Sequence, residues 1–347
     1  MLYKNALNRK NLDRPPVWFM RQAGRYHSHY QALKRNHTFI ELCKNPKLAC
    51  EVTMGPIRDF DFDAAILFSD LLFPLEMMGM GLKYVEGPEL GWHLKLLKDV
   101  ERLKTGKDLA RGLEFQADAL KLLKQELPAS KGLLGFVGAP LTLFCYAVEG
   151  THSGDLADSR KGLSDGRFQG FTEKLKELLI ANMVLQARAG ADAVAVFDTC
   201  GGEFDSEIYA KVAVPALAEV LFGFKKLYPD TPVVYYSRGT GPAHWRALIG
   251  LPIACLGIDW RQDLSEVLIQ WGPHFSVQGN VDPEWLFLSP TELEKKLRET
   301  FLKVKALPLE ARKGWICGLG HGVLPKTPEN NVRLFIKIQK EIFGGGS

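Results

Sequence analysis

The sequence predicts an α/β protein folded as a single (β/α)8 TIM-type barrel. Three observations lead there. Eight short apolar runs of the kind that form parallel strands buried on both faces recur along the 347 residues. Segments with helical spacing fill the gaps, and strand–helix alternation is the mark of a parallel sheet, eight strands being the barrel number. Polar residues follow directly on the ends of most runs, which is where a barrel gathers its active site.

In chain order, strands are expected at Val17 to Met20, Ala64 to Phe68, Leu133 to Val137, Ala193 to Phe197, Pro232 to Tyr236, Ala254 to Ile258, Phe275 to Gln278 and Trp315 to Gly318. Helices are expected over Leu109 to Leu127, where Leu113, Ala117, Leu120 and Leu123 repeat at helical spacing, and over Phe171 to Ala189 through Leu175, Leu178, Leu179, Met183 and Leu185. Ser289-Pro290-Thr291-Glu292 reads as a capping box with proline at the first helical position. Thr327-Pro328 and Asp282-Pro283 read as N-caps followed by such a proline. The competing architecture is an open doubly wound sheet, which carries a Gly-rich dinucleotide loop after its first strand. Here the first run leads into Arg21-Gln22-Ala23-Gly24-Arg25 instead. With no repeat or linker in view, one domain is expected over 1–343, with a flexible tail at 344–347.

A chain 46% hydrophobic and 24% charged can build a large core without disulfide or metal staples. The net charge of +4 is too small for the electrostatic footprint of a nucleic-acid binder, yet suits an anionic small molecule. Cysteines stand at 43, 50, 145, 200, 255 and 317 with no C-x-x-C pair, which speaks against a zinc knuckle and for a reducing compartment. No apolar h-region opens the sequence and no run is long enough to span a membrane. A cytoplasmic protein with neither nucleic acid nor membrane as partner is expected.

The residues just past the predicted strands are Arg21 and Arg25, Ser69 and Asp70, Asp198 and Thr199, Ser237 and Arg238, Asp259, Asn280, and His321. In a barrel they converge on one mouth. Each also has a plainer reading. Arg21 and Arg25, four apart, make either an exposed basic face or a fork for carboxylates, with Gly24 between them letting backbone approach a ligand. Asp70 and Thr199 fit helix caps equally well. Tyr146 lies in an apolar stretch typical of helix core, and the glycines flanking His321 expose its ring.

Together these residues resemble the uroporphyrinogen decarboxylase family. The resemblance rests on Pro16-Val17-Trp18-Phe19-Met20-Arg21-Gln22-Ala23-Gly24-Arg25-Tyr26, on Ala65-Ile66-Leu67-Phe68-Ser69-Asp70, and on Gly135 to Leu143 followed by Tyr146 and Glu149-Gly150. Gln278-Gly279-Asn280-Val281-Asp282-Pro283 and Leu319-Gly320-His321-Gly322 extend it, so that it runs from about residue 5 to residue 340. Carried over by position, it implies a substrate site of Arg21, Arg25, Asp70, Tyr146, Thr199 and His321, with Gln22, Ala23 and Gly24 completing the first loop. It implies Asp70 and Arg21 as the catalytic pair, no cofactor, no metal, and a homodimer. Phe197-Asp198-Thr199-Cys200-Gly201-Gly202 departs from the pattern in carrying Cys200 where an aromatic or His is expected, and Val234 to Gly239 matches loosely.

The reaction so implied removes carbon dioxide from the four acetate arms of uroporphyrinogen, leaving methyls and giving coproporphyrinogen. Protonating a pyrrole carbon beside the acetate-bearing one creates a cation that accepts the released electrons, so the substrate supplies the sink that most decarboxylations borrow from a cofactor. A negative Asp70 would favour that cation. Arg21 is the expected proton donor, with a water or a substrate carboxyl as alternatives because a guanidinium is a poor acid. Two other readings were weighed. A zinc methyltransferase of the same superfamily needs a His-x-Cys pair after a mid-barrel strand, where this sequence has Tyr236-Ser237-Arg238. A carrier of tetrapyrroles would gain nothing from a carboxylate such as Asp70 in an anion-binding cleft.

Overall fold

The computed structural model describes residues 1–10, 14–85, 87–151 and 154–344. Seven parallel strands form its main sheet: β1 (Ala64–Ile66), β4 (Gly132–Gly138), β5 (Ala193–Asp198), β6 (Val233–Ser237), β7 (Cys255–Gly257), β8 (Ser276–Val281) and β9 (Trp315–Leu319), each beside the next in that order. A two-residue antiparallel pair, β2 (Lys83–Tyr84) and β3 (Pro88–Glu89), was not foreseen and stands apart.

The seven strands are buried throughout, because both their faces are covered. Ile66, Leu134, Phe136, Ala195, Phe197, Val234, Tyr236 and Ile316 pack inward with Trp18 into one cluster. Their neighbours Leu133, Val137, Val194, Val196, Tyr235, Leu256 and Cys317 pack outward against the helices. Residues of the first and last strands share the inner cluster, so the sheet curls. All six cysteines are free and buried. The helices follow the expected logic: Arg167–Arg188 covers the predicted 171–189 segment, and Ser289 closes its capping box with Glu292 ahead of Pro290–Lys305. The 109–127 segment divides into a 3-10 helix, Lys107–Leu113, and an α-helix, Glu114–Glu126.

Two expectations are corrected. Val17 to Met20 is not a strand but a single parallel bridge, Val17 to Cys317. Its backbone donors are diverted: Pro15 and Pro16 have none, the Val17 N–H goes to Asp63 Oδ2 at 2.8 Å, and the Phe19 N–H goes to Gln22 Oε1 at 3.2 Å. Arg21 then turns left-handed at φ 60. The segment still lies between the sheet's two edges, since Cys317 N–H donates to Pro16 O at 2.9 Å and Asp63 N–H donates to Val17 O at 2.8 Å. Arg14 anchors it with a bidentate pair to Asp63 at 2.7 and 2.8 Å. Thr327 does not cap the last helix, Glu329–Phe343; its hydroxyl donates instead to Leu324 O at 2.8 Å. Asp282 does cap its short 3-10 turn, accepting from Glu284 N–H at 2.9 Å. Of the expected tail at 344–347, residues 345–347 lie outside the described residues. No described helix is long and apolar enough to cross a membrane.

Candidate active site

The strand ends place the predicted residues. Past β1, Leu67 N–H reaches Leu134 O at 2.9 Å and Phe68 N–H reaches Thr53 Oγ1 at 2.9 Å, so the chain is held on both sides as it arrives at Asp70. Asp70 Oδ1 accepts from Leu72 N–H at 2.8 Å, a turn-closing bond just ahead of the short helix Phe73–Met77. Burial raises the Asp70 carboxyl above the ordinary carboxylate range, against the pull of the Leu72 N–H and of the Arg21 charge. The Tyr84 hydroxyl is buried beside it but outside hydrogen-bond geometry, and burial followed by the Asp70 charge pushes that phenol up.

Arg21 is exposed, and its stem lies over Gly322, where a Cβ would stand 2.5 Å from Arg21 Cδ. Val323 N–H donates to Met20 O at 2.9 Å, docking the His321 loop onto the Arg21 loop. Gly24 is required by crowding, because a Cβ there would sit 2.9 Å from Arg21 O. Gln22 is buried and its amide is engaged within the fold, accepting from Phe19 N–H and donating to Ala64 O at 3.0 Å. Ala23 packs against the small cluster of Tyr30, Leu42 and Val52. Arg25 is exposed, and its charge acts on Tyr30.

Tyr146 lies on the helix Pro140–Glu149, partly buried. Burial raises its phenol, Asp70 and then Cys200 add to the rise, and Arg21 opposes it. The Arg21 charge also acts on Tyr236. Arg21, Asp70, Tyr146 and Tyr236 therefore share one electrostatic neighbourhood. His321 joins it directly: its Nδ1 is 3.0 Å from the Tyr236 hydroxyl, and the two rings stack with centroids 6.0 Å apart. Thr199, buried, follows β5.

Sequence reasoning missed what lies under Thr199. Asp198 is buried; its Oδ1 accepts from the Thr142 hydroxyl at 2.7 Å and its Oδ2 from the Tyr235 hydroxyl at 2.7 Å. Tyr235 meets Tyr209 at 2.5 Å, and Thr142 Oγ1 accepts from Cys200 N–H at 3.2 Å. Burial raises the Asp198 carboxyl. Thr142 is one helical turn before Tyr146, so this network ties the end of β5 to the helix that carries Tyr146. Alternation along β5 could have revealed it, since Asp198 falls in step with the outward Val194 and Val196. Tyr236 was hidden inside an apolar run, read only as core. Asn280 also belongs to the scaffold, donating to Asp259 O and Gln262 O at 2.8 Å each. Among the described residues no three His, Cys, Asp or Glu side chains gather closely enough to hold a metal.

Residues 2–342 match the sequence profile described as Uroporphyrinogen decarboxylase (URO-D). The chain belongs to the uroporphyrinogen decarboxylase family. It is 37% identical over 330 residues to a protein of Pelobacter propionicus named uroporphyrinogen decarboxylase, covering 94% of each chain. A protein of the same name from Legionella pneumophila strain Corby is 35% identical over 348 residues, covering 98% of this chain and 96% of its own. Among solved structures, a methyltransferase from Methanosarcina mazei superposes with a TM-score of 0.78 at 17% identity over 97% of both chains, a likeness of fold. Membership of the uroporphyrinogen decarboxylase family extends across the region that holds Arg21, Asp70, Tyr146, Thr199 and His321 alike.

Proposed function

We propose that this chain is a uroporphyrinogen decarboxylase that converts the four acetate arms of its substrate to methyls. One observation carries the reading beyond family membership: the Arg21 charge reaches the buried Asp70 carboxyl, Tyr146 and Tyr236 at one end of the sheet, and Tyr236 meets His321. An anionic substrate needs the cation; a cationic intermediate needs the anion.

The reaction divides into two proton transfers around one bond cleavage. A proton added to the pyrrole carbon beside the acetate-bearing carbon makes the ring cationic. The bond to the carboxylate then breaks, carbon dioxide leaves, and the electron pair neutralises the ring, leaving an exocyclic methylene. A second proton turns that methylene into a methyl as the first proton departs and aromaticity returns. Net, one proton replaces one carboxylate. In this reading Asp70 accepts hydrogen bonds from pyrrole N–H groups and stabilises the cation in a poorly hydrated site. Arg21 holds the reacting arm and sits closest to the proton's entry, relayed by a water or a substrate carboxyl because guanidinium itself holds its proton. Arg25 and His321 bind carboxylates, Tyr146 and Thr199 line the ring, and the Gln22, Ala23 and Gly24 loop shapes the wall.

The same proposal takes the sheet to close as one (β/α)8 barrel over residues 1–343, with the Val17 segment as the eighth stave. It takes the enzyme to be a cytoplasmic homodimer working without metal or organic cofactor. The test is direct. Purified protein incubated anaerobically with uroporphyrinogen should yield coproporphyrinogen, read as a stepwise fall from eight carboxyls to four in the oxidised products. Tight binding with no loss of carboxyls would favour a carrier. Activity lost to a chelator and restored by zinc would favour the methyltransferase-like chemistry.

A further inference from the structure

We propose that Arg238 is a further carboxylate-binding residue of the substrate cleft, on a separate wall from Arg21. The inference rests on the decarboxylase reading and adds to it a residue that sequence comparison left outside the site.

Arg238 stands directly past β6, whose Val234 and Tyr236 point inward and whose last residue is Ser237. The backbone there is fixed from both sides: Arg238 N–H donates to Asp198 O at 3.2 Å, and Gly202 N–H donates to Arg238 O at 2.9 Å. Gly202 is pressed so close that a Cβ on it would stand 2.3 Å from Gly239 C. The pairing of Asp198 with Ser237 is the last of the β5–β6 ladder, and Thr199 and Arg238 each follow directly on it. Tyr236, two residues earlier, meets the His321 ring and responds to the Arg238 charge.

The charge balance around Arg238 is incomplete. Asp259 accepts from Gly239 N–H at 2.6 Å, from Arg261 N–H at 3.0 Å and from the Arg261 guanidinium, which lies over the Trp260 ring. Asp198 turns outward to Tyr235 and Thr142. Among the described residues no carboxylate pairs with the partly buried Arg238 guanidinium. A guanidinium drawn partly out of water without a counter-ion is stabilised by an arriving anion, and its fork matches a carboxylate. Position selects which anion. β6 stands fourth in the order from the Val17 segment, with β1, β4 and β5 between, so the curled sheet carries Arg238 and Arg21 on separate walls. A ring with carboxylates around its whole edge is the ligand that uses both walls at once.

The experiment compares wild type with Arg238→Gln and Arg238→Lys in anaerobic steady-state turnover of uroporphyrinogen. Binding of uroporphyrin, the air-stable octacarboxylate, is measured in parallel by fluorescence. Arg238→Gln is expected to raise KM, and the uroporphyrin Kd, about ten- to a hundredfold, the loss of one charged hydrogen-bonded contact. Its kcat should stay within about threefold, as for a contact made equally in ground and transition states. Arg238→Lys should recover part of the loss by keeping the charge without the fork, and melting curves of both should match wild type. An unchanged Kd for Arg238→Gln overturns the proposal whether or not the wild type turns over. So does a kcat loss at constant KM, or a Lys variant no better than Gln when both are folded. A wild type that binds uroporphyrin but releases no carbon dioxide overturns the decarboxylase reading alone.

Discussion

At Asp70 the sequence offers two readings, a turn-closing residue and a charge for catalysis, and the structure shows that they do not compete. Oδ1 closes the turn with Leu72 N–H while burial lifts the carboxyl as a whole. Asp70→Asn keeps an oxygen for that N–H and removes only the charge. Turnover is expected to fall on the order of a hundredfold or more, the usual loss of a preorganised electrostatic contact, with the melting curve little changed. Near-normal turnover by a folded Asn variant would leave Asp70 with the turn alone. The direction of its pKa adds a second test. In the proposed reaction the ionised form is the working form, and its pKa is raised, so kcat/KM should fall with decreasing pH along a limb above the ordinary aspartate range near 3.9. The residual activity of Asp70→Asn should lack that limb. The same raised pKa means that ionising Asp70 works against folding: its contribution is most favourable below the unfolded-state pKa and is lost as pH rises through the folded one.

At the scale of the element, what could be read depended on how many faces an element buries. Seven strands were legible because runs such as Leu133 to Val137 and Ala193 to Phe197 are apolar on both sides. The eighth was misread because Val17, Trp18 and Phe19 are as apolar as a strand, while what ends their ladder is side-chain chemistry from Asp63 and Gln22, distant or off-pattern. The polar residues just past the strands were legible for the same reason as the strands. The Asp198 network was not, because its partners come from three other elements: Thr142 and Tyr235 sit inside apolar runs, and no pattern marks Tyr209. That network makes its own prediction. Asp198→Ala leaves the Thr142 and Tyr235 hydroxyls without their acceptor in the interior, which should destabilise by about 3 kcal/mol. Because Thr142 shares a helix with Tyr146 and Cys200 follows Thr199, activity should fall further than the unfolded fraction accounts for. Thermal melting beside turnover at a temperature where the variant is fully folded separates the two effects. Turnover equal to wild type under those conditions would confine Asp198 to stability.

For the whole molecule, the decisive feature is the seam where the Val17 segment bonds to both edges of the curled sheet. Pro16, Val17 and Trp18 lie between Cys317 and Asp63, and only a few backbone bonds hold them there. Arg14 makes up the difference. Its guanidinium grips both oxygens of Asp63, and Nη1 also reaches Gln339 Oε1 at 3.4 Å, while Gln339 Nε2 donates to Pro15 O at 2.8 Å. The last helix is thereby stitched to the first segment across the seam. Arg21 follows Val17 by one short turn, so a loosened seam reaches the proposed substrate mouth. Arg14→Gln removes the bidentate pair and leaves Asp63 with Val17 N–H and, at 3.9 Å, Lys131. The expected loss is about 1.5 to 3 kcal/mol, that of hydrogen bonds to a charged group, read as a melting point lower by a few degrees. Hydrogen exchange should quicken first at the amides of Trp18 and Cys317, which bond across the seam, before those of β4 and β5 in the middle of the sheet. If the amides of Trp18 and Cys317 stay as protected as in wild type while the melting point drops, Arg14 stabilises the fold without holding the seam. Closure would then rest on the apolar contacts of Val17, Trp18 and Phe19, and KM for uroporphyrinogen should be unaltered.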